Sequence, residues 1–102
     1  SSFKRAIKSK LYILLLFGSY AKKTKTKSSD IDLMFICADG IEDVFEKDVS
    51  KVARSMPLPL HPLVFSESQF AEMINAKESN VGQEALKNNV ILYGIEQYYE
   101  MI

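Results

Sequence analysis

The chain has 102 residues, 47% of them apolar and 25% charged, which is the profile of one compact soluble domain rather than several. One cysteine and one histidine exclude a disulfide framework and a His/Cys zinc site. Thirteen basic and thirteen acidic side chains cancel, so bulk charge gives no reason to expect a polyanionic partner; yet residues 1–29 hold eight bases and no acid, and residues 30–102 hold five bases and thirteen acids.

In chain order, Lys4 to Lys10 reads as a short basic helix or the end of one. Leu11 to Phe17 is an unbroken apolar run of strand length, as expected of a strand buried on both faces. This basic segment, the run after it, and Ser19 and Ala21 imitate a signal peptide. The apolar core of seven residues is at the lower limit for such a segment and too short to span a bilayer, so a cytoplasmic protein without membrane partners is expected. Gly18 ends the run, and Ser19 to Ser29 is a polar stretch carrying Lys22, Lys23, Lys25 and Lys27. A second strand is predicted over Asp30 to Cys37, with Asp30, Asp32, Met34 and Ile36 on one face and Ile31, Leu33, Phe35 and Cys37 on the other. In that apolar setting Cys37 reads as a buried, inert thiol.

Residues 41–56 place Ile41, Val44, Phe45, Val49, Val52, Ala53 and Met56 at helical spacing with one buried stripe. Pro57, Pro59 and Pro62 surround a third strand over Leu60 to Phe65, and a proline inside it predicts a sheet edge or a bulge. Ser66 with Gln69 forms a capping-box pattern opening a helix that buries Phe70, Met73 and Ile74. A helix near Val81 to Asn88, an apolar run at Val90 to Tyr93 and a final helix with Ile95, Tyr98, Tyr99 and Ile102 on one side complete the chain. The alternation predicts an α/β (α+β) fold, a small mixed β-sheet with helices packed on it, over residues 1–102. Because Ser1 is not an initiator methionine, this domain is expected to be cut from a longer chain with an upstream region.

The segment that carries chemistry is Gly18-Ser19, ten residues, then Asp30-Ile31-Asp32, between two predicted strands. Gly18 permits a sharp turn and close approach of a phosphate to the main chain. Ser19 offers a hydroxyl and an amide to an anion. Asp30 and Asp32 project to one face about 6.6 Å apart along a strand, a spacing that lets both converge on magnesium ions roughly 3.5–4 Å apart. A phosphate cradle facing a metal pair is what phosphoryl or nucleotidyl transfer requires. The bland alternative makes Gly-Ser a plain turn and Asp30 a strand-opening acid. Asp32 resists it, because an unpaired carboxylate inside an apolar run is costly.

These residues resemble the signature of the DNA polymerase β-like nucleotidyltransferases. Leu16-Phe17-Gly18-Ser19-Tyr20-Ala21 with Ser29-Asp30-Ile31-Asp32-Leu33, and the tail Ile91-Leu92-Tyr93-Gly94-Ile95-Glu96, look like the minimal nucleotidyltransferases of bacteria and archaea. The resemblance implies the polymerase β-like fold, with Gly18 and Ser19 on the nucleotide phosphates and Asp30 and Asp32 as catalytic metal ligands for magnesium, two ions being expected. It implies transfer of a nucleoside monophosphate from a nucleoside triphosphate, ATP foremost, to an acceptor hydroxyl. Minimal members often work beside a HEPN partner as toxin and antitoxin, so a HEPN-type protein is the expected partner.

Two departures qualify the likeness. Active members usually carry a third carboxylate on a later strand, and no acid lies between Val49 and Ser66 here. His61 is the titratable group on that strand and the candidate catalytic base, with Glu67 beyond the strand a weaker substitute. The second departure is the lysine-rich linker, a solvated loop or a cluster in which Lys22 and Lys23 bind the triphosphate. A competing reading is a catalytically degenerate nucleotide-binding or regulatory module attached to a DNA-binding domain. Nucleic-acid binding by this domain alone is not expected, since four lysines and Tyr20 make a poor stacking platform. A homo-oligomer stays open.

Overall fold

In the computed structural model, which describes residues 12–18 and 31–102, the first apolar run forms strand β1, Tyr12–Phe17, and the second forms β2, Ile31–Cys37. The expected basic helix at Lys4 to Lys10 and the polar stretch Ser19 to Ser29 lie outside the described residues. β1 and β2 pair antiparallel from Tyr12 opposite Cys37 to Phe17 opposite Asp32. β3, Leu60–Ser66, lies parallel to β2, and β4, Asn89–Tyr93, lies antiparallel to β1, giving the order β3-β2-β1-β4. Parallel neighbours need a crossover, and helix α1, Glu42–Ser55, supplies it.

Alternation along the strands sends side chains to both faces, and both are covered. On one face Tyr12, Leu14, Leu33, Phe35 and Cys37 pack with Phe45 and Val49 of α1. Tyr12 and Phe35 meet the Phe45 ring at centroid distances of 5.4 and 5.9 Å, favourable tilted contacts at the centre of that layer. On the other face Ile13, Leu15, Phe17, Met34 and Ile36 meet Phe70 of α2 (Glu67–Ile74), Ala85 of α3 (Val81–Lys87) and Tyr98 of α4 (Ile95–Met101). The result is a mixed four-stranded sheet between helices, an α+β fold. Among the described residues no helix is long and apolar enough to cross a membrane.

Most of the predicted elements are present. Pro62 falls on β3, the outermost described strand on its side of the sheet, where its missing N–H costs least. Ser66 opens α2 with the capping box: the Gln69 amide donates to Ser66 Oγ at 3.2 Å, and the Ser66 amide donates to Gln69 Oε1 at 2.8 Å.

Two helix faces differ from expectation. Val44 is 66% exposed because it sits about 110° around α1 from the middle of the stripe that Phe45, Val49 and Val52 define. On α4 only Tyr98 of the expected four is buried, and Met101, one turn on, packs beside it. Ile95, Tyr99 and Ile102 are exposed.

Candidate active site

The strand registers line up four residues in one row across the sheet. Phe17 lies opposite both Asp32 and Asn89, and Asp32 lies beside His61 on the parallel neighbour. This row is at the end of β1 and the beginnings of β2, β3 and β4, where loops leave the sheet. Side chains on a row share a face. Here it is the face carrying Phe17, Met34 and Ile36.

Asp32 and His61 are joined directly: His61 Nδ1 lies 3.2 Å from Asp32 Oδ1. An ionised carboxylate can only accept, so Nδ1 carries the proton and donates it. In the neutral imidazole Nε2 is then left with its lone pair, ready to take a proton. The Asp32 side chain keeps 28% of its surface open and the His61 side chain 58%, so both can be reached from solvent.

Gly18 shapes the other side of the carboxylate. Its backbone has φ of 72°, the left-handed region, and a Cβ placed there would run into Asp32 Oδ2. The turn glycine therefore makes room for the second aspartate of the motif, a role additional to the phosphate approach read from the sequence. Asp32 is thus bracketed, with Oδ1 on His61 and Oδ2 over Gly18.

Of the remaining site candidates, Ser19, Lys22, Lys23 and Asp30 lie outside the described residues. Glu67 follows Ser66, which pairs with Cys37, five residues or about 17 Å along the strand from the row of Asp32. It cannot stand in for a third carboxylate there. Cys37 is at that distant end, buried and free, with its thiol pushed up to about 11 by burial first and by the Glu42 charge second. That is an inert thiol, as expected.

Asn89 was not singled out from sequence. It sits on the row opposite Phe17, and its amide donates to the Ala85 carbonyl at 2.7 Å and the Tyr98 hydroxyl at 2.9 Å, fastening α3 and α4 to the site end of the sheet. The Tyr98 ring is buried, and burial raises its phenol above the ordinary tyrosine range. An Asn at a helix-to-strand junction is commonplace, so only the register could have drawn notice to it.

Among the described residues no group of three or more His, Cys, Asp or Glu side chains is placed to hold a metal ion. The donor present, a solvent-reachable carboxylate with Asp30 two residues before it in sequence, is a hard oxygen donor of the kind magnesium takes. The residues therefore fit a divalent cation.

Comparison with known proteins bears on this arrangement. A family model described as polymerase beta, nucleotidyltransferase matches residues 4–98. No curated protein matches the chain. A solved structure described as the crystal structure of a toxin–antitoxin with AMP-PNP superposes with a TM-score of 0.62 and 24% identity, over 97% of this chain and 73% of that one. At that identity the likeness is one of fold.

Proposed function

The chain belongs to the polymerase beta nucleotidyltransferase family, and on that premise we propose that it moves a nucleoside monophosphate from ATP to a hydroxyl on a HEPN-type toxin, as the antitoxin of a pair. The observation that supports the reading is the Asp32–His61 contact at the turn of Gly18, a hard carboxylate oxygen beside an imidazole. The toxin–antitoxin description of the structural neighbour supports the acceptor, and its AMP-PNP supports ATP.

The chain's own residues act as follows. Gly18, Ser19, Lys22 and Lys23 receive the phosphates, the glycine and serine by main-chain and hydroxyl groups and the lysines by charge. Asp30 and Asp32 would hold magnesium, and the ion would supply positive charge to offset that of the triphosphate and the departing pyrophosphate. His61 Nε2 takes the proton of the acceptor hydroxyl as its oxygen bonds to the α-phosphorus. The bond from the α-phosphorus to the oxygen bridging the β-phosphate breaks, and pyrophosphate leaves with that electron pair. Asp32, through the Nδ1–H it accepts, keeps the imidazole in the tautomer that can receive the proton.

The direct test is the intact mass of a candidate HEPN partner after incubation with the chain, ATP and magnesium. The reading predicts an increase of one or more whole adenosine monophosphate units, absent with Asp32→Asn. An unchanged mass with every candidate partner contradicts the proposed acceptor.

One observation favours a second reading, a nucleotide-binding module without turnover: β3 offers a histidine and no carboxylate beside Asp32. ATP bound in calorimetry with no transfer to any acceptor would support it.

A further inference from the structure

We propose that the site takes one magnesium ion together with the triphosphate, not the two that paired aspartates suggest. This rests on the nucleotidyltransferase reading and specifies its metal site. Two divalent ions roughly 3.5–4 Å apart repel each other strongly and are held together by carboxylates that reach both. Asp30, the other acid of the motif, lies outside the described residues, and the strands flanking Asp32 add no third carboxylate: its neighbour on β1 is Phe17, and its neighbour on β3 is His61.

Asp32 itself is already divided. Oδ1 accepts from His61 Nδ1 at 3.2 Å, and Oδ2 lies where a side chain at position 18 would be. His61 adds an imidazole nitrogen in place of a carboxylate oxygen, and magnesium prefers oxygen to imidazole nitrogen. Glu67, the nearest acid in sequence after β3 begins, is at the other end of the strand. The charge at this row therefore suits one hard cation shared with phosphate oxygens, the manner in which magnesium is usually bound by one or two carboxylates.

The test is a count of metal. Equilibrium dialysis of the chain against magnesium and a non-hydrolysable ATP analogue, with bound magnesium measured by atomic absorption, should give one ion per chain. His61→Asp, which puts a carboxylate in register with Asp32, should give two, and His61→Asn should stay at one. Should His61→Asp fail to fold, His61→Glu carries the same charge to the same strand position. Two ions on the unaltered chain, or one on the folded acidic variant, overturns the inference and leaves the nucleotidyltransferase reading standing. No magnesium and no nucleotide on the unaltered chain would sink both.

Discussion

Asp32 is the residue on which the candidate site turns, and its surroundings add to what the sequence says of two residues. The first is the glycine of Gly-Ser. Because Gly18 has φ of 72° and faces Asp32 Oδ2, Gly18→Ala meets both the left-handed backbone penalty of about 1–2 kcal/mol and a clash with the carboxylate. The melting temperature should fall by about 5 °C or more in a thermal scan. An unchanged melt would mean that the turn and the carboxylate are not packed as described. The second is the lone histidine. That His61 lies on a strand was legible from its apolar neighbours, but its pairing with Asp32 was not, since 29 residues separate them and only the parallel register brings them together. Cys37 was legible in full: an apolar run implies burial, and burial lifts the thiol to about 11. Relative to the ordinary value of 9.0, that reduces the thiolate about 100-fold near pH 8. Alkylation at pH 8 should therefore be at least that much slower in the folded chain than in urea, and equal rates would contradict its burial.

At the scale of elements, the strands and helices were largely readable because each carries a strong local pattern: an unbroken apolar run for β1, an apolar run broken only by Asp32 for β2 and a capping box for α2. What escaped was which side of a helix finds a partner. Val44 and Tyr99 are at plausible positions in the sequence, yet both are exposed while their neighbours Phe45 and Tyr98 are buried. A tertiary clasp also escaped. Asp39, in the turn after β2, accepts from the Ser68 amide at 2.9 Å and from the Ser68 hydroxyl, tying that turn to the first turn of α2. The Ser68 hydroxyl first, and its amide second, hold the Asp39 carboxyl below its ordinary 3.8. A depressed carboxyl adds stability above the unfolded-state value and loses it as pH falls through the folded one. Thermal melts of the chain and of Ser68→Ala should thus differ near pH 7 and converge as pH drops below about 4. A gap that persists at pH 2 would show that the serine acts otherwise than through the Asp39 carboxylate.

Over the whole molecule, the sheet separates two jobs. One end carries the row of Phe17, Asp32, His61 and Asn89, and the other carries the Asp39 clasp and the capping box of α2. The helices that close both faces leave the loop-bearing end of the strands available for chemistry. The fold class followed from the alternation of elements, and the aspartate motif followed from spacing. The strand order did not, because nothing local in β4 says that it joins β1 on the side away from β2. The neutral total charge conceals a sequence whose sign changes at Asp30, two residues before the carboxylate at the centre of the site. Asp32→Asn, which keeps the shape of the side chain and removes its charge, should leave the fold intact while removing the proposed metal-binding anion. Whether Asp32 serves the proposed transfer is decided by the rate of label transfer from α-labelled ATP to a HEPN-type partner, measured for the chain and for Asp32→Asn with their melts compared alongside. The two should melt alike while transfer falls at least about 100-fold; transfer that proceeds undiminished in the folded variant would show that the Asp32 carboxylate is not needed for it.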